Sequence, residues 1–253
     1  MPNREYRRHA QIGIAPPQSN PVVEAEFSAL LPDGVGMLVT RLTGEAEDAR
    51  LRFYEYLANL ETSLKAYGKA EIDAFGFSFT ATAYLDDINQ DELLTKISDK
   101  VGYPIISSAQ AIHRALDRLG ATRIALFSPY PDWLTKLSIA YWQNKGYQIH
   151  SVASMPEDTA DTAKIYGLQT EEILEASKSL KTKDADVIVV TGSGLATLPT
   201  VQPLTERTQK PFLCSNICLA WALLDHLGLT HLAPPSNPGE VLIGGWMPRI
   251  CRL

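Results

Sequence analysis

A hydroxyl side chain bracketed by two glycines is the first feature of this sequence that could do chemistry. Ser193 lies between Gly192 and Gly194, shortly after the apolar run 187–190. Glycine lets backbone N–H groups approach a ligand closely, and such a turn can cradle an anion. An apolar run of this length predicts a buried parallel strand, and open α/β sheets bind ligands at the carboxyl ends of their strands. The alternative is a plain strand-to-helix turn in which glycine has only a steric role.

The chain contains this arrangement twice. Asp73 and Asp186 each precede an apolar strand and a polar turn, at an offset of 113 residues. Ile12 and Ile124 begin a second pair of similar segments, at an offset of 112 residues. Two separate motifs with nearly the same offset predict two copies of one βα-rich half, each of about 110 residues.

The repeat predicts the fold class. We expect an α/β protein with two pseudo-symmetric Rossmann-like (flavodoxin-like) halves, each a mostly parallel sheet of about four strands flanked by helices. The active site is expected in the cleft between them. The first half is predicted to comprise residues 1–108 and 217–253, and the second half residues 109–216.

Local signals predict elements around the first turn. Residues 11–15 predict a short strand that ends at two prolines, and a helix should follow, with Glu24 or Glu26 in its first turn, where a carboxylate suits the helix dipole. A longer amphipathic helix is predicted from residue 48 to residue 67. Its apolar side is expected to carry Leu51, Tyr54, Leu57 and Leu60.

Composition excludes several classes of partner. The chain has 253 residues, of which 45% are hydrophobic and 21% charged, as in an ordinary globular protein. Its net charge of −6 argues against nucleic acid and against an anionic membrane surface. The sequence has no apolar run of membrane-spanning length and no apolar signal core near the N-terminus, so we expect a cytoplasmic location. A homo-oligomer is left open.

The sequence favours a site without metal or cofactor. Cys214, Cys218 and Cys251 all lie in the last fifth of the chain and form no disulfide framework. None of the five histidines lies on a predicted pocket turn, and no phosphate-binding loop motif is present. We therefore predict no cofactor and no metal ligands.

The turns of both halves should converge on one pocket. Neutral donors gathered at helix starts suit a small carboxylate or its enolate, because preorganised donors stabilise negative charge developing on oxygen. The alternative is an interface without a pocket, in which the turn hydroxyls only cap helices. The predicted substrate-binding residues are Pro16, Pro17, Ser19, Asn20, Phe79, Ala81, Thr82, Gly192, Gly194, Cys214, Ser215 and Asn216. The predicted catalytic residues are Thr80, Tyr130 and Ser193.

Several of these segments together carry a family resemblance. They are Pro16-Pro17-Gln18-Ser19-Asn20 with Glu24 and Glu26, Ser128-Pro129-Tyr130, Gly192-Ser193-Gly194-Leu195 with Thr197-Leu198, and Cys214-Ser215-Asn216 with Trp221. In order and spacing the chain resembles the maleate isomerase and arylmalonate decarboxylase branch of the aspartate/glutamate racemase superfamily. The resemblance covers nearly the whole chain.

The resemblance implies a cofactor-free and metal-free site between two Rossmann-like halves. There a dioxyanion hole holds one carboxylate of the substrate while a proton moves or carbon dioxide leaves. The resemblance implies a hole formed by Thr80, Tyr130, Ser193 and Gly194. It also implies that Pro16 and Pro17 line the other side of the substrate.

The chain departs from this family at the two facing turns. Racemases and maleate isomerases carry a cysteine on each turn, and the decarboxylases carry one, on the second turn; here these positions are Phe79 and Gly192. Two-base racemisation or thiolate addition to a double bond would therefore lack its usual nucleophile. Cys214 could approach the pocket or simply be a small buried hydrophobe. Tyr130 could donate a proton or a hydrogen bond, or only pack.

Three functions remain open from the sequence. The first is a cofactor-independent isomerase or decarboxylase acting on a small carboxylate through an enolate-like intermediate. The second is a relative that has moved to hydration, hydrolysis or tautomerisation. The third is a non-catalytic carboxylate-binding protein. We favour the first, because the neutral donors are kept on both turns.

Overall fold

The computed structural model describes residues 5–155, 162–233 and 246. The strands are β1 (Ala10–Ala15), β2 (Val35–Val39), β3 (Ala74–Phe77), β4 (Ile105–Ser107), β5 (Arg123–Ser128), β6 (Gln148–Ser154), β7 (Val187–Val190) and β8 (Phe212–Cys214). The helices are α1 (Val23–Leu30), α2 (Ala49–Ala58), α3 (Leu60–Leu64), α4 (Gln90–Val101), α5 (Ser108–Leu119), α6 (Asp132–Asn144), α7 (Thr170–Ala176), α8 (Leu198–Thr208) and α9 (Ser215–His226).

The strands form two four-stranded sheets, in the orders β2-β1-β3-β4 and β6-β5-β7-β8. All pairings are parallel, and the second order repeats the first with equivalent strands. The predicted α/β fold with two similar halves of four strands is confirmed. Both central strand pairs are buried on both faces, which explains their continuous apolar sequences.

Equivalent aspartates fix the start of each central strand pair. The Asp73 carboxylate accepts a hydrogen bond from the backbone N–H of Gln11 at 2.7 Å, and Asp186 accepts one from Arg123 at 2.8 Å. Only Asp186 gains a guanidinium, because Arg123 also donates to it through its side chain at 2.9 Å. The repeated aspartate of the sequence is therefore a register device at the edge of the sheet opposite the polar turns.

Helix α9 packs across the first sheet. The side chains of Leu219 and Leu223 lie over Gly76 on β3, where a Cβ would stand 3.2 and 3.1 Å from them. Glycine at this position allows the helix to approach the sheet closely. The assignment of residues 217–253 to the first half stays a prediction. Within the described ranges, no helix is long and apolar enough to cross a membrane.

The helix predicted over residues 48–67 is broken into pieces. Helix α2 ends at Ala58, and α3 is followed by a short 3-10 turn. Leu51 is 58% exposed, so its predicted place on the apolar side was wrong. Phe53 and Tyr56 are buried instead and pack edge-on against Phe79, with ring centroids 4.9 and 5.4 Å apart. These aromatic side chains bury more apolar surface than Leu51 would, and they set which face turns inward.

Asp186→Asn should lower the free energy of unfolding by about 1 kcal/mol at pH 7. The Arg123 guanidinium and the backbone N–H of Thr122 hold the pKa of Asp186 below its ordinary value of 3.8. A lowered pKa adds stability that is present above pH 3.8 and is lost as the pH falls below it. Urea denaturation at pH 7 and pH 3 should show the difference shrinking in acid. An equal loss at both pH values would contradict the assignment.

Candidate functional site

The turns that follow β3 and β7 meet at the carboxyl edges of the two sheets. We call residues 78–82 and 191–195 the facing turns. The hydroxyl of Ser193 donates to the backbone carbonyl of Ser78 at 2.8 Å, directly across the two halves. Beside it, the hydroxyls of Thr80 and Ser215 lie 2.9 Å apart. The structure thus brings predicted site residues from both halves together in one buried place.

Four backbone N–H groups on the facing turns have no acceptor. The residues are Thr80 and Ala81 on one turn and Ser193 and Gly194 on the other; all are buried, and their amides donate to no group in the described chain. Most buried amides are paired, so four free donors on two opposed turns are unusual. Consecutive free amides in a turn make a concave site for an anion.

Tyr130 adds a hydroxyl to the same place. It follows β5, is 4% exposed, and its hydroxyl would stand 3.6 Å from a Cβ on Gly192. Burial raises the pKa of this hydroxyl, and hydrogen bonds with Thr191 and Thr80 oppose the shift. The phenol therefore stays protonated at neutral pH and acts as a donor rather than a base.

Asn20 supplies a further buried donor. Its Oδ1 accepts hydrogen bonds from the backbone N–H groups of Val22 and Val23 at 2.9 and 3.2 Å, and so caps α1. Capping fixes the amide orientation and leaves Nδ2 buried, with no partner among the described residues. This nitrogen lies 3.3 Å from the position a Cβ would take on Gly194. An unpaired buried donor next to the second facing turn is what an anionic ligand would satisfy.

A cavity of about 280 Å³ opens beside the facing turns. Its lining includes three predicted residues, Pro17, Ser19 and Phe79. It also includes residues that the sequence analysis missed: Gln18, Gly44, Glu45, Ala46, Glu47, Arg52, Tyr56, Thr162, Ala163 and Tyr166. Most of these come from α2, from the loop before it and from the segment after β6. The period of α2 could have indicated that Arg52 and Tyr56 share one face, but no sequence signal places that face at the cavity.

Several predicted residues lie away from this cavity. Thr82 hydrogen-bonds to the side chain of Gln90, and the backbone carbonyl of Pro16 accepts from Leu42 at 2.9 Å. Cys214 is fully buried and accepts a hydrogen bond from the hydroxyl of Thr197 at 3.1 Å. Burial raises the pKa of this thiol to about 12, so it is not a thiolate at neutral pH. Among the described residues, no three histidine, cysteine or carboxylate side chains are grouped as a metal site.

The two corresponding positions of the facing turns carry no reactive group. Phe79 is 8% exposed, and its ring is held by the aromatic contacts described above. Gly192 has a φ of +97°, a conformation that residues with side chains rarely adopt, and a Cβ there would lie 2.9 Å from Cγ of Pro129. This backbone therefore favours glycine over any residue with a side chain.

Glu26 is the main polar group whose position was not anticipated. Its carboxylate is 4% exposed and accepts hydrogen bonds from the backbone N–H groups of Thr197 and Leu198 at 2.6 and 2.8 Å. It also accepts from the side-chain nitrogen of Asn216 at 2.7 Å. Burial raises the pKa of Glu26, and these hydrogen bonds oppose the rise. Glu26 does lie in the first turn of α1, but its side chain caps α8 in the other half.

Comparisons with known proteins agree with this geometry. The sequence profile of the arylmalonate decarboxylase family matches residues 15–238, so the chain belongs to that family. The chain is 25% identical over 255 residues to the maleate isomerase of Pseudomonas putida, covering 93% of this chain and 98% of that one. It is 26% identical over 159 residues to the maleate isomerase of Alcaligenes faecalis, covering 62% of this chain and 61% of that one.

Solved structures share the fold. Nocardia farcinica maleate cis-trans isomerase bound to TRIS superposes with a TM-score of 0.80 at 22% identity, covering 91% of this chain and 96% of that one. For arylmalonate decarboxylase the TM-score is 0.72 at 18% identity, covering 90% and 96%. The family assignment places the chain among enzymes of the isomerase and decarboxylase class.

Gly194→Ala should weaken binding of a carboxylate ligand about tenfold. The added Cβ would overlap the ring of Tyr166, which lines the cavity, and would press on the side chain of Asn20. Isothermal titration should show the weaker affinity, while the melting temperature changes by only a few degrees. The double variant Gly194→Ala with Tyr166→Ala should recover part of the affinity. Unchanged affinity in the single variant would show that the ligand does not reach this turn.

Proposed function

We propose that this protein is a cofactor-independent enzyme of the isomerase and decarboxylase type that acts on a small carboxylate through an enolate-like intermediate. One observation carries the proposal: four buried, unpaired backbone N–H groups on opposed turns, joined by the Tyr130 hydroxyl. Membership in the arylmalonate decarboxylase family supports it.

The free amides are suited to a dioxyanion hole. One turn would donate through Thr80 and Ala81, and the other through Ser193 and Gly194, to the two oxygens of one substrate carboxylate. Negative charge grows on those oxygens as a proton or carbon dioxide leaves the neighbouring carbon. Fixed donors stabilise that charge without reorganising, and a single donor of this kind is typically worth about 10²–10³ in kcat.

Tyr130 is the proposed proton donor. Its raised pKa keeps the phenol protonated, and its hydroxyl stands beside the second facing turn. A structure of a cysteine-to-serine variant of Nocardia farcinica maleate isomerase contains a covalently bound succinylcysteine intermediate. The facing turns of this chain contain no cysteine. We therefore favour decarboxylation followed by protonation over addition of a nucleophile to a double bond.

The cavity favours a substrate with an apolar arm. Phe79, Tyr56 and Tyr166 line it, and about 280 Å³ exceeds what the smallest dicarboxylates need. An arylmalonate has a carboxylate for the facing turns and a ring for these aromatic side chains. We place the second carboxylate, the one that leaves, toward the apolar side, where loss of its hydration favours departure.

A carboxylate-binding protein without catalysis is the second candidate. The packed ring of Phe79 and the strained conformation at Gly192 favour it, because neither turn can host a thiolate. Relatives that hydrate, hydrolyse or tautomerise would use the same hole with a bound water. These alternatives differ from the first in what happens to the ligand after binding.

Phenylmalonate should stabilise the protein by about 2.7 kcal/mol at a hundred times its dissociation constant. In deuterated water it should then lose carbon dioxide and take up one deuteron at the α-carbon, as measured by proton NMR. Malonate and maleate are the comparison ligands. Binding without turnover would support the non-catalytic candidate, and absence of binding by all three would overturn the proposal.

Tyr130→Phe should reduce kcat for phenylmalonate about 10²–10³-fold, because the variant lacks the proton donor. The dissociation constant should change less than tenfold, since the four amides remain. Cys218→Ala, which alters a buried thiol on α9, serves as the matched control and should keep kcat within about twofold. An equal loss in both variants would mean that packing, not proton donation, is being measured.

A further inference from the structure

The geometry points to Glu26 and Asn216 as positioning residues for the proposed carboxylate site. We propose that they fix the peptide between Ser193 and Gly194 so that the Gly194 N–H faces the cleft. The consequence for binding rests on the proposed function. The orientation of the peptide does not.

Asn216 holds the carbonyl side of this peptide. Its Nδ2 donates to the backbone oxygen of Ser193 at 3.1 Å and to Oε2 of Glu26 at 2.7 Å. In a planar trans peptide the C=O and the following N–H point in opposite directions. Drawing the Ser193 carbonyl toward Asn216 therefore turns the Gly194 N–H away from it, to the side where Asn20 Nδ2 and the ring of Tyr166 lie.

The amide orientation of Asn216 is imposed by its two acceptors. A flipped amide would place Oδ1 against the Glu26 carboxylate and the Ser193 carbonyl, and both contacts would be repulsive. In the observed orientation Oδ1 is buried and has no partner in the described part of the chain. Leaving an acceptor unpaired is costly, so the two donated bonds must outweigh that cost.

Glu26 holds the far end of the same turn. One carboxylate oxygen accepts from the backbone N–H groups of Thr197 and Leu198, and the other accepts from Asn216. A single buried side chain from the first half thus fixes both ends of the second facing turn. Without Glu26, Asn216 would lose the charge that determines which way its amide points.

The repeat shows that this arrangement belongs to one half only. At the 112-residue offset, the position of Glu26 is occupied by Ser138, whose hydroxyl donates to the carbonyl of Thr135 at 2.8 Å. The position of Asn216 corresponds to Ala109. The two facing turns are therefore held by different means, and only the second depends on a buried charge.

Glu26→Gln is the sharpest test, because it keeps the shape and removes the charge. The new amide group would face donors, so Asn216 should flip and release the Ser193 carbonyl. In ligand-free protein, the Gly194 amide and Ser193 carbonyl resonances should move in Glu26→Gln and in Asn216→Ala. They should stay in place in Ser138→Ala, which removes a buried polar group from the equivalent helix position. If Asn216→Ala does not fold, the isosteric Glu26→Gln still decides.

Malonate titration supplies the functional readout. We expect both variants to bind malonate about tenfold more weakly than the unaltered protein, and Ser138→Ala to bind within twofold of it. Unchanged Gly194 and Ser193 resonances in Glu26→Gln would overturn the positioning role, whatever malonate does. If the resonances move but the unaltered protein binds neither malonate nor phenylmalonate, the positioning role stands and the proposed function fails.

Discussion

The direct meeting of the two facing turns is the constraint on which the rest of this structure depends. Two parallel sheets end at the same place, and the hydroxyl of Ser193 spends its hydrogen bond on the carbonyl of Ser78 across the halves. This contact buries both turns and excludes the water that would otherwise satisfy their amides. Four N–H groups are left for a ligand. The fold thus creates an anion site without a positively charged side chain at its centre.

The groups around that site are donors rather than bases. Burial raises the pKa of Tyr130 and of the Cys214 thiol, so both keep their protons at neutral pH. Glu26 is buried against donors and is occupied in holding α8 and Asn216. A site of this kind stabilises negative charge on a ligand and can return a proton to it. It is poorly equipped to form a covalent bond through a nucleophile of its own.

Sequence reasoning predicted the features that repeat and missed those that do not. The offset of 113 residues between Asp73 and Asp186 sufficed for the two halves and for the place of the facing turns. The partners of Glu26 are 171 to 190 residues away, and its pseudo-symmetric position carries a serine, so the repeat gave no signal for it. The exposed Leu51 failed for a similar reason. Periodicity alone cannot rank a leucine against the aromatic residues of α2 that pack on Phe79.

A crystal structure with phenylmalonate bound tests the central claim most directly. The account predicts one carboxylate between the facing turns, with its oxygens within about 3.2 Å of the backbone nitrogens of at least one residue on each turn. It also predicts the phenyl ring in the cavity beside Phe79. A carboxylate bound elsewhere, with the amides of Thr80 and Gly194 still unpaired, would contradict the account.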